Sequence, residues 1–222
     1  MLAQQLCGKN DQHLKEVLFG QKVLLIHPQV SKDLLALKQA AAKAGFDLHI
    51  ASGFRSFARQ QSIWNRKMLG ELTVFDQHSQ LIDITALSEY QKMMAILRWS
   101  ALPGASRHHW GTDFDVYDRQ SLPQEQSLKL EPWEYLQGHQ SVFYRWLNEH
   151  LHDFGFFFPY PAHSRGVAFE PWHISHRATA QACLSQLTFD ILKEQLIIED
   201  IIGKPSILAH LESIYQHYVQ IT

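Results

Sequence analysis

The chain has 222 residues, 45% hydrophobic and 19% charged, which excludes a disordered or fibrous protein and fits one large domain with insertions better than two full domains. Its 20 Lys and Arg against 22 Asp and Glu give a formal net charge of -2, which rules out a strong electrostatic case for nucleic acid or an acidic membrane. The apolar runs at 23–26 and 154–158 fall far short of the roughly 18 residues that a membrane helix needs.

Residues 1–12 carry neither a basic leader nor an apolar segment. If the numbering starts at the true N-terminus, a cytoplasmic protein is expected; a chain trimmed of its leader would read the same and be exported. Ser31 can cap a helix over 31–44 that Gly45 stops. Residues 47–51 alternate as a strand, Ser52-Gly53 turns the chain, and a second helix covers 57–69. A third helix is expected over 89–99, ahead of Pro103-Gly104. Residues 112–117 alternate again, with Phe114 and Val116 on one face and Asp113 and Asp115 on the other. The polar stretch 118–138 reads as a surface insertion. A helix over 141–153, short strands at 156–158 and 167–169, and helices over 177–195 and 206–218 complete the chain. The order is mixed, without βαβ regularity or a Gly-rich phosphate loop. The fold class is therefore α+β, a small and mostly antiparallel central sheet flanked by helices. One domain is expected over 1–222, its motif-bearing core at about 30–180 and a helical C-terminal extension at about 177–222.

Two cysteines, Cys7 and Cys183, make neither a disulfide framework nor a thiolate metal site. Histidine is abundant, at 14 residues. His108, Asp115 and His173 would supply the two imidazoles and one carboxylate of a catalytic zinc site that keeps a position open. Gly111 lets the chain turn between the first two. Glu170, three residues before His173, could take a proton from a metal-activated water. Pro171 argues against a helix there, and in a regular strand positions 170 and 173 would face opposite ways, so a shared site requires a local turn or bulge.

Taken together, Ser106-x-His108-x-x-Gly111-x-x-x-Asp115, then Glu170-x-Trp172-His173, preceded by Ser52-Gly53-Phe54-Arg55-Ser56-x-x-x-Gln60, resemble the D-alanyl-D-alanine carboxypeptidases of the VanY type. These belong with the lysostaphin and hedgehog relatives (the LAS metallopeptidases). The resemblance runs from about Ser52 to His176. It implies a hedgehog/DD-peptidase-like fold and Zn2+ held by His108, Asp115 and His173. It further implies Glu170 as general base and Arg55 facing the oxyanion, with Ser106 and Gln60 near the substrate. The implied substrate is a peptidoglycan-derived peptide that loses its terminal D-alanine. A D,D-dipeptidase, an L,D-carboxypeptidase or an endopeptidase would use the same centre. A non-haem iron enzyme and a non-catalytic binding module are the rivals from other classes. The first usually spaces His and Asp two apart on a strand, against seven here; the second has no need of an intact Glu170.

Two departures from the family pattern stand out. Where a small residue is usual, two before the ligand Asp, this chain has Asp113, which could accept a hydrogen bond from a ligand imidazole or could narrow and charge the pocket. His108 is followed by His109, which alternation turns away, toward solvent or a hydrogen-bond partner. A second Glu-Pro-Trp, at Glu131-Pro132-Trp133, ends in Glu134 and reads as coincidence, unless Trp133 belongs to a lid.

Overall fold

The computed structural model describes residues 1–76, 79–162 and 166–221. Strands β1 (Lys15–Phe19) and β2 (Lys22–Ile26) form an antiparallel hairpin. The two-residue connection Gly20-Gln21 places Gly20 at φ 63°, a region glycine enters without steric penalty. The sequence showed only an apolar run here. Then come β3 (Leu48–Ser52), the short pair β4 (Val74–Phe75) and β5 (Leu81–Ile82), β6 (Asp113–Asp118), β7 (Phe156–Phe157) and β8 (His173–His176). Strands β3, β6, β8 and β7 build a four-stranded sheet in that order, every neighbouring pair antiparallel. The expected α+β class is what the chain adopts.

Register decides which side of this sheet is dry. Phe114 pairs with Ile174 and Val116 with Ile50. Their side chains join Leu34 and Leu37 of the helix Ser31–Lys43 and Phe143 and Leu147 of the helix Ser141–His150 in one buried cluster. Each such side chain contributes about 1.5–3 kcal/mol of burial free energy. Alternation sends Asp113, Asp115, His173 and Ser175 to the opposite face, where Asp115 pairs with His173 and Asp113 with Ser175.

A second cluster gathers Trp64 of the helix Phe57–Met68, Met93 of the helix Glu89–Leu97, and Leu184, Leu192 and Ile207 of the C-terminal helices. Ser56 starts the helix Phe57–Met68 by accepting the Arg59 N–H at 3.2 Å, which leaves Arg55 just outside its first turn. Among the described residues no helix is long and apolar enough to cross a membrane.

Three local expectations change. Residues 167–169 form no strand; Ala168 N–H donates instead to the Arg98 carbonyl at 2.8 Å. The expected 177–195 helix breaks into Arg177–Gln186 and Phe189–Ile198, because Thr188 leaves the helical region and caps the second helix. The expected 206–218 helix divides into Lys204–Ala209, Leu211–Ile214 and a wider turn over Tyr215–Val219.

Candidate metal centre and substrate cavity

A single 3-10 turn, Arg107–Trp110, delivers His108, and Gly111 closes it at φ 66°. A Cβ at Gly111 would stand 3.0 Å from the His27 backbone nitrogen, so both its conformation and its surroundings require glycine. Strand β6 then carries Asp115 on its polar face. The third segment turns where a turn was required: His173 N–H donates to the Glu170 carbonyl at 3.1 Å, which brings both side chains to one side before β8 begins.

One ligand atom from each of His108, Asp115 and His173 lies within 4.8 Å of the others, and all three residues are buried. Each imidazole is oriented from behind. His108 Nδ1 lies 2.9 Å from the Gly53 carbonyl, which accepts its proton and leaves Nε2 free toward Asp115 Oδ2 at 3.5 Å. His173 is turned the other way. Its Nε2 donates to Asp113 Oδ1 at 3.1 Å, and its Nδ1 faces Asp115 Oδ1 at 3.2 Å and Glu170 Oε2 at 3.5 Å. Asp115 Oδ1 is buried without a hydrogen-bond donor. Two imidazole nitrogens and one carboxylate oxygen cluster within 4.8 Å of one another, and this donor set fits a divalent metal.

The electrostatics agree. Burial pushes His108 down to about 3, which keeps the ring neutral. Burial also acts to lower His173, but its hydrogen bond to Asp113 and the negative charge of Asp113 and Asp115 outweigh it and hold the ring at about 9. Asp115 is raised by burial and lowered further by the two histidines, so it stays below the usual carboxylate range. Glu170 is different: burial, with Asp115 adding to it and His173 opposing, pushes it up to about 7.

Arg55 lies 4.0 Å from Asp115 Oδ2 and is held by Ser52 Oγ and Gln60 Oε1, both at 2.9 Å. Ser106 lines the cavity beside it. Gln60 does not. It is fully buried, and both ends of its amide are committed, one to Arg55 and the other to the Ala101 carbonyl at 2.7 Å. The expectation that Gln60 lies near the substrate is therefore corrected: it fixes the arginine instead.

Asp113 is fully buried and does not line the cavity. Beyond His173 it accepts Arg107 Nε at 2.8 Å and Thr112 Oγ1 at 2.5 Å, while Arg107 also reaches Ser175 Oγ at 2.7 Å. It braces a candidate ligand and leaves the pocket's shape alone. His109 is fully buried and hydrogen-bonding: Nδ1 donates to the Arg55 carbonyl at 2.6 Å, and Nε2 accepts Gly104 N–H at 3.1 Å.

The cavity in front of these groups measures about 290 Å³. Arg55, Ser106, His108, Asp115, Glu170 and His173 line its polar end, and Trp99, Tyr160 and Trp172 line its apolar walls. Lys129, Leu130, Glu131 and Pro132 from the 118–138 segment form another wall. Trp133 is half-exposed and stacks edge-on against His139 instead of covering the site. Lys67, which the sequence did not single out, also lines the cavity.

Residues 23–179 match the D-alanyl-D-alanine carboxypeptidase (VanY) family. An uncharacterised protein of Haemophilus influenzae is 39% identical over 123 residues, covering 53% of this chain and 92% of that protein. A D-alanyl-D-alanine carboxypeptidase of Enterococcus faecalis is 25% identical over 166 residues, covering 73% of this chain and 51% of the relative, so this chain spans about half of that protein's length. Among solved structures, VanYB in complex with D-alanine-D-alanine shares the fold with a TM-score of 0.55 and 24% identity, over 84% of this chain and 89% of that one. A VanY D,D-pentapeptidase variant in complex with Zn(II) gives a TM-score of 0.54 and 24% identity, over 79% and 85%. The LdcB LD-carboxypeptidase gives 0.52 and 22%, over 86% and 80%.

Proposed function

This chain belongs to the D-alanyl-D-alanine carboxypeptidase (VanY) family, and we propose that it is a zinc peptidase that removes the terminal D-alanine from peptidoglycan stem peptides. One observation carries the reading. The Glu170–His173 turn sets a carboxylate outside the donor set 3.5 Å from a donor atom, with its pKa at about 7. A purely structural carboxylate gains nothing from that position; a proton shuttle needs it.

His108, Asp115 and His173 would hold the metal. Two imidazoles and one carboxylate, with the remaining side open to the cavity, form the donor set of a catalytic zinc, and a solved relative of the same fold holds Zn(II). Bound there, zinc supplies Lewis-acid polarisation of the scissile carbonyl and acidification of a water.

The chain's own groups do the rest. Glu170 takes the proton of the attacking water and returns it to the departing amine nitrogen, and burial, which raises its pKa above the ordinary carboxylate range, makes it a stronger base for the first half of that task. Arg55, fixed by Ser52 and Gln60, directs its remaining N–H groups to the carbonyl oxygen as that oxygen gains charge. Ser106 offers a hydroxyl to the peptide from the cavity wall. Tyr160 packs edge-on against His173, with ring centroids 4.9 Å apart, and with Trp172 keeps bulk water off the ligand ring. D-alanine-D-alanine, the ligand of the VanYB complex, supports the choice of substrate.

The test is to incubate the zinc-loaded protein with a pentapeptide stem and weigh the products. Loss of one alanine, abolished in Glu170→Ala, is expected. Cleavage at another bond would keep the residue roles and replace the substrate. No cleavage by a protein shown to hold zinc, or purification with iron in its place, would overturn the proposal.

A further inference from the structure

Lys67 is a cation in the cavity that the mechanism does not use. It sits in the last turn of the helix Phe57–Met68, and its Nζ donates to Ser100 Oγ at 2.7 Å. Both residues line the cavity, together with Arg55, Ser106 and Glu170. Among the described residues this is the only hydrogen bond of the ammonium, and it forms no ion pair with a carboxylate.

An ammonium partly withdrawn from water is costly without an anion, and Lys67, half-buried, is lowered by this desolvation to about 8. Glu170 favours its charge from a distance, and Arg55 opposes it. The two cations have different places. Arg55 stands over the donor set, 4.0 Å from Asp115, where a carbonyl oxygen would lie. Lys67 is held away from that set by Ser100, on the wall formed after the helix Glu89–Leu97.

We propose that Lys67, oriented by Ser100, is the subsite for the free terminal carboxylate of the peptide, and so makes this site select chain ends. The inference rests on the peptidase reading above. In a peptide cut at its last bond, the terminal carboxylate carbon is only three bonds from the scissile carbonyl carbon, through the amide nitrogen and the α-carbon. When the carbonyl meets Arg55, that carboxylate must therefore lie in the same small cavity, where Lys67, half-buried and fixed by Ser100, supplies positive charge that the mechanism does not use; Lys129, on another wall, is exposed. An ammonium with two free donors suits a carboxylate and gives nothing comparable to a neutral amide. A peptide continuing past the scissile bond would cover the half-buried lysine without offering it an anion, which discriminates against internal cleavage.

The experiment compares three pentapeptides: one with a free C-terminus, one with a C-terminal amide, and one with a free C-terminus but its internal carboxylates amidated. kcat/KM is measured for the zinc-loaded native protein, Lys67→Met and Lys67→Arg, with zinc content and thermal unfolding confirming that each variant is folded and loaded. The native protein is expected to prefer the free acid to the terminal amide by at least about tenfold. Lys67→Met should collapse that preference, chiefly through KM, and Lys67→Arg should restore part of it. Equal losses on acid and amide, or an unchanged preference in Lys67→Met, would overturn the proposal. So would a preference that follows the internal carboxylates. Binding of the acid and amide peptides to zinc-loaded Glu170→Ala, by calorimetry, separates this inference from the peptidase reading. A carboxylate preference that vanishes with Lys67 would support the subsite even if the native protein hydrolysed nothing. Hydrolysis of acid and amide alike would leave the peptidase reading standing and remove the subsite.

Discussion

His173 Nε2 donates to Asp113 Oδ1 across 3.1 Å, from β8 to β6, and the same carboxylate oxygen accepts Arg107 Nε at 2.8 Å. The ring is thereby locked with Nδ1 toward Asp115 and Glu170. Asp113→Ala should therefore cost twice. Zinc affinity should fall by roughly 10–100-fold, as for other partners that orient a ligand histidine. Stability should fall by about 3–5 kcal/mol, because Arg107 would be left buried without its carboxylate. Chelator competition and denaturant unfolding measure the two losses separately. The double variant Asp113→Ala, Arg107→Met should recover stability but not zinc affinity; recovery of both would remove the bracing role.

Glu170 gives a pH signature in the metal-free protein. Burial raises its pKa from 4.5 to about 7, so between those values the folded state binds more protons than the unfolded state. The stabilising contribution of the neutral carboxyl is full below about 4.5 and is lost as pH rises through 7. Glu170→Gln keeps a neutral side chain throughout. Its stability relative to the native protein, both stripped by chelator, should rise across this window by up to about 3 kcal/mol. Unfolding curves at pH 4.5 and pH 8 check this; a difference that does not change with pH would contradict a raised pKa.

The placement of the candidate donors was legible because its constraints are local. Alternation over 112–117 places Asp115 opposite the face of Phe114 and Val116, and a site shared by Glu170 and His173 required a turn between them, which the chain makes. Strand β8 was not legible. Of His173–His176 only Ile174 is apolar, because Asp113, Asp115 and Arg107 occupy the polar face that His173 and Ser175 meet. Gln60 misled for a related reason: position along a motif does not say which way an amide is turned, and this one is turned into the protein. Lys67 on an amphipathic helix looks like a solvated lysine until the segment after Leu97 folds over it and Ser100 meets its amine.

Gln60 therefore makes a kinetic prediction. Its Oε1 fixes Arg55 at 2.9 Å and its Nε2 ties the pair to the Ala101 carbonyl. Gln60→Leu keeps the approximate volume and frees the guanidinium. If Arg55 meets charge that develops only in the transition state, kcat should fall by roughly 10–100-fold with KM little changed. Steady-state kinetics on the pentapeptide show the split. A rise in KM with kcat intact would return Gln60 to substrate binding. Gln60→Glu, which can still accept from Arg55, should recover part of the lost rate.

Gly111 links the hairpin to the candidate metal centre. Its carbonyl accepts His27 N–H at 2.9 Å just after β2, and its φ of 66° sends the chain from the His108 turn into β6. An added Cβ would lie 2.6 Å from Leu14 Cδ2 and 3.0 Å from the His27 backbone nitrogen. The leucine can rotate away, but the backbone cannot move without shifting the hairpin. Gly111→Ala should thus combine left-handed strain, about 1–2 kcal/mol, with a displaced turn. Because His108 and Asp115 lie on either side of this residue, the displacement separates two of the three donors. Zinc affinity should fall together with the denaturation midpoint. Substituting Gly45 offers the contrast: it shares a positive φ, at 90°, but has nothing within 4 Å of an added Cβ and lies far along the chain from the donors. Gly45→Ala should lower stability by the backbone strain alone and leave zinc affinity intact. Equal zinc affinity in both variants would show that the Gly111 turn does not set the spacing of His108 and Asp115.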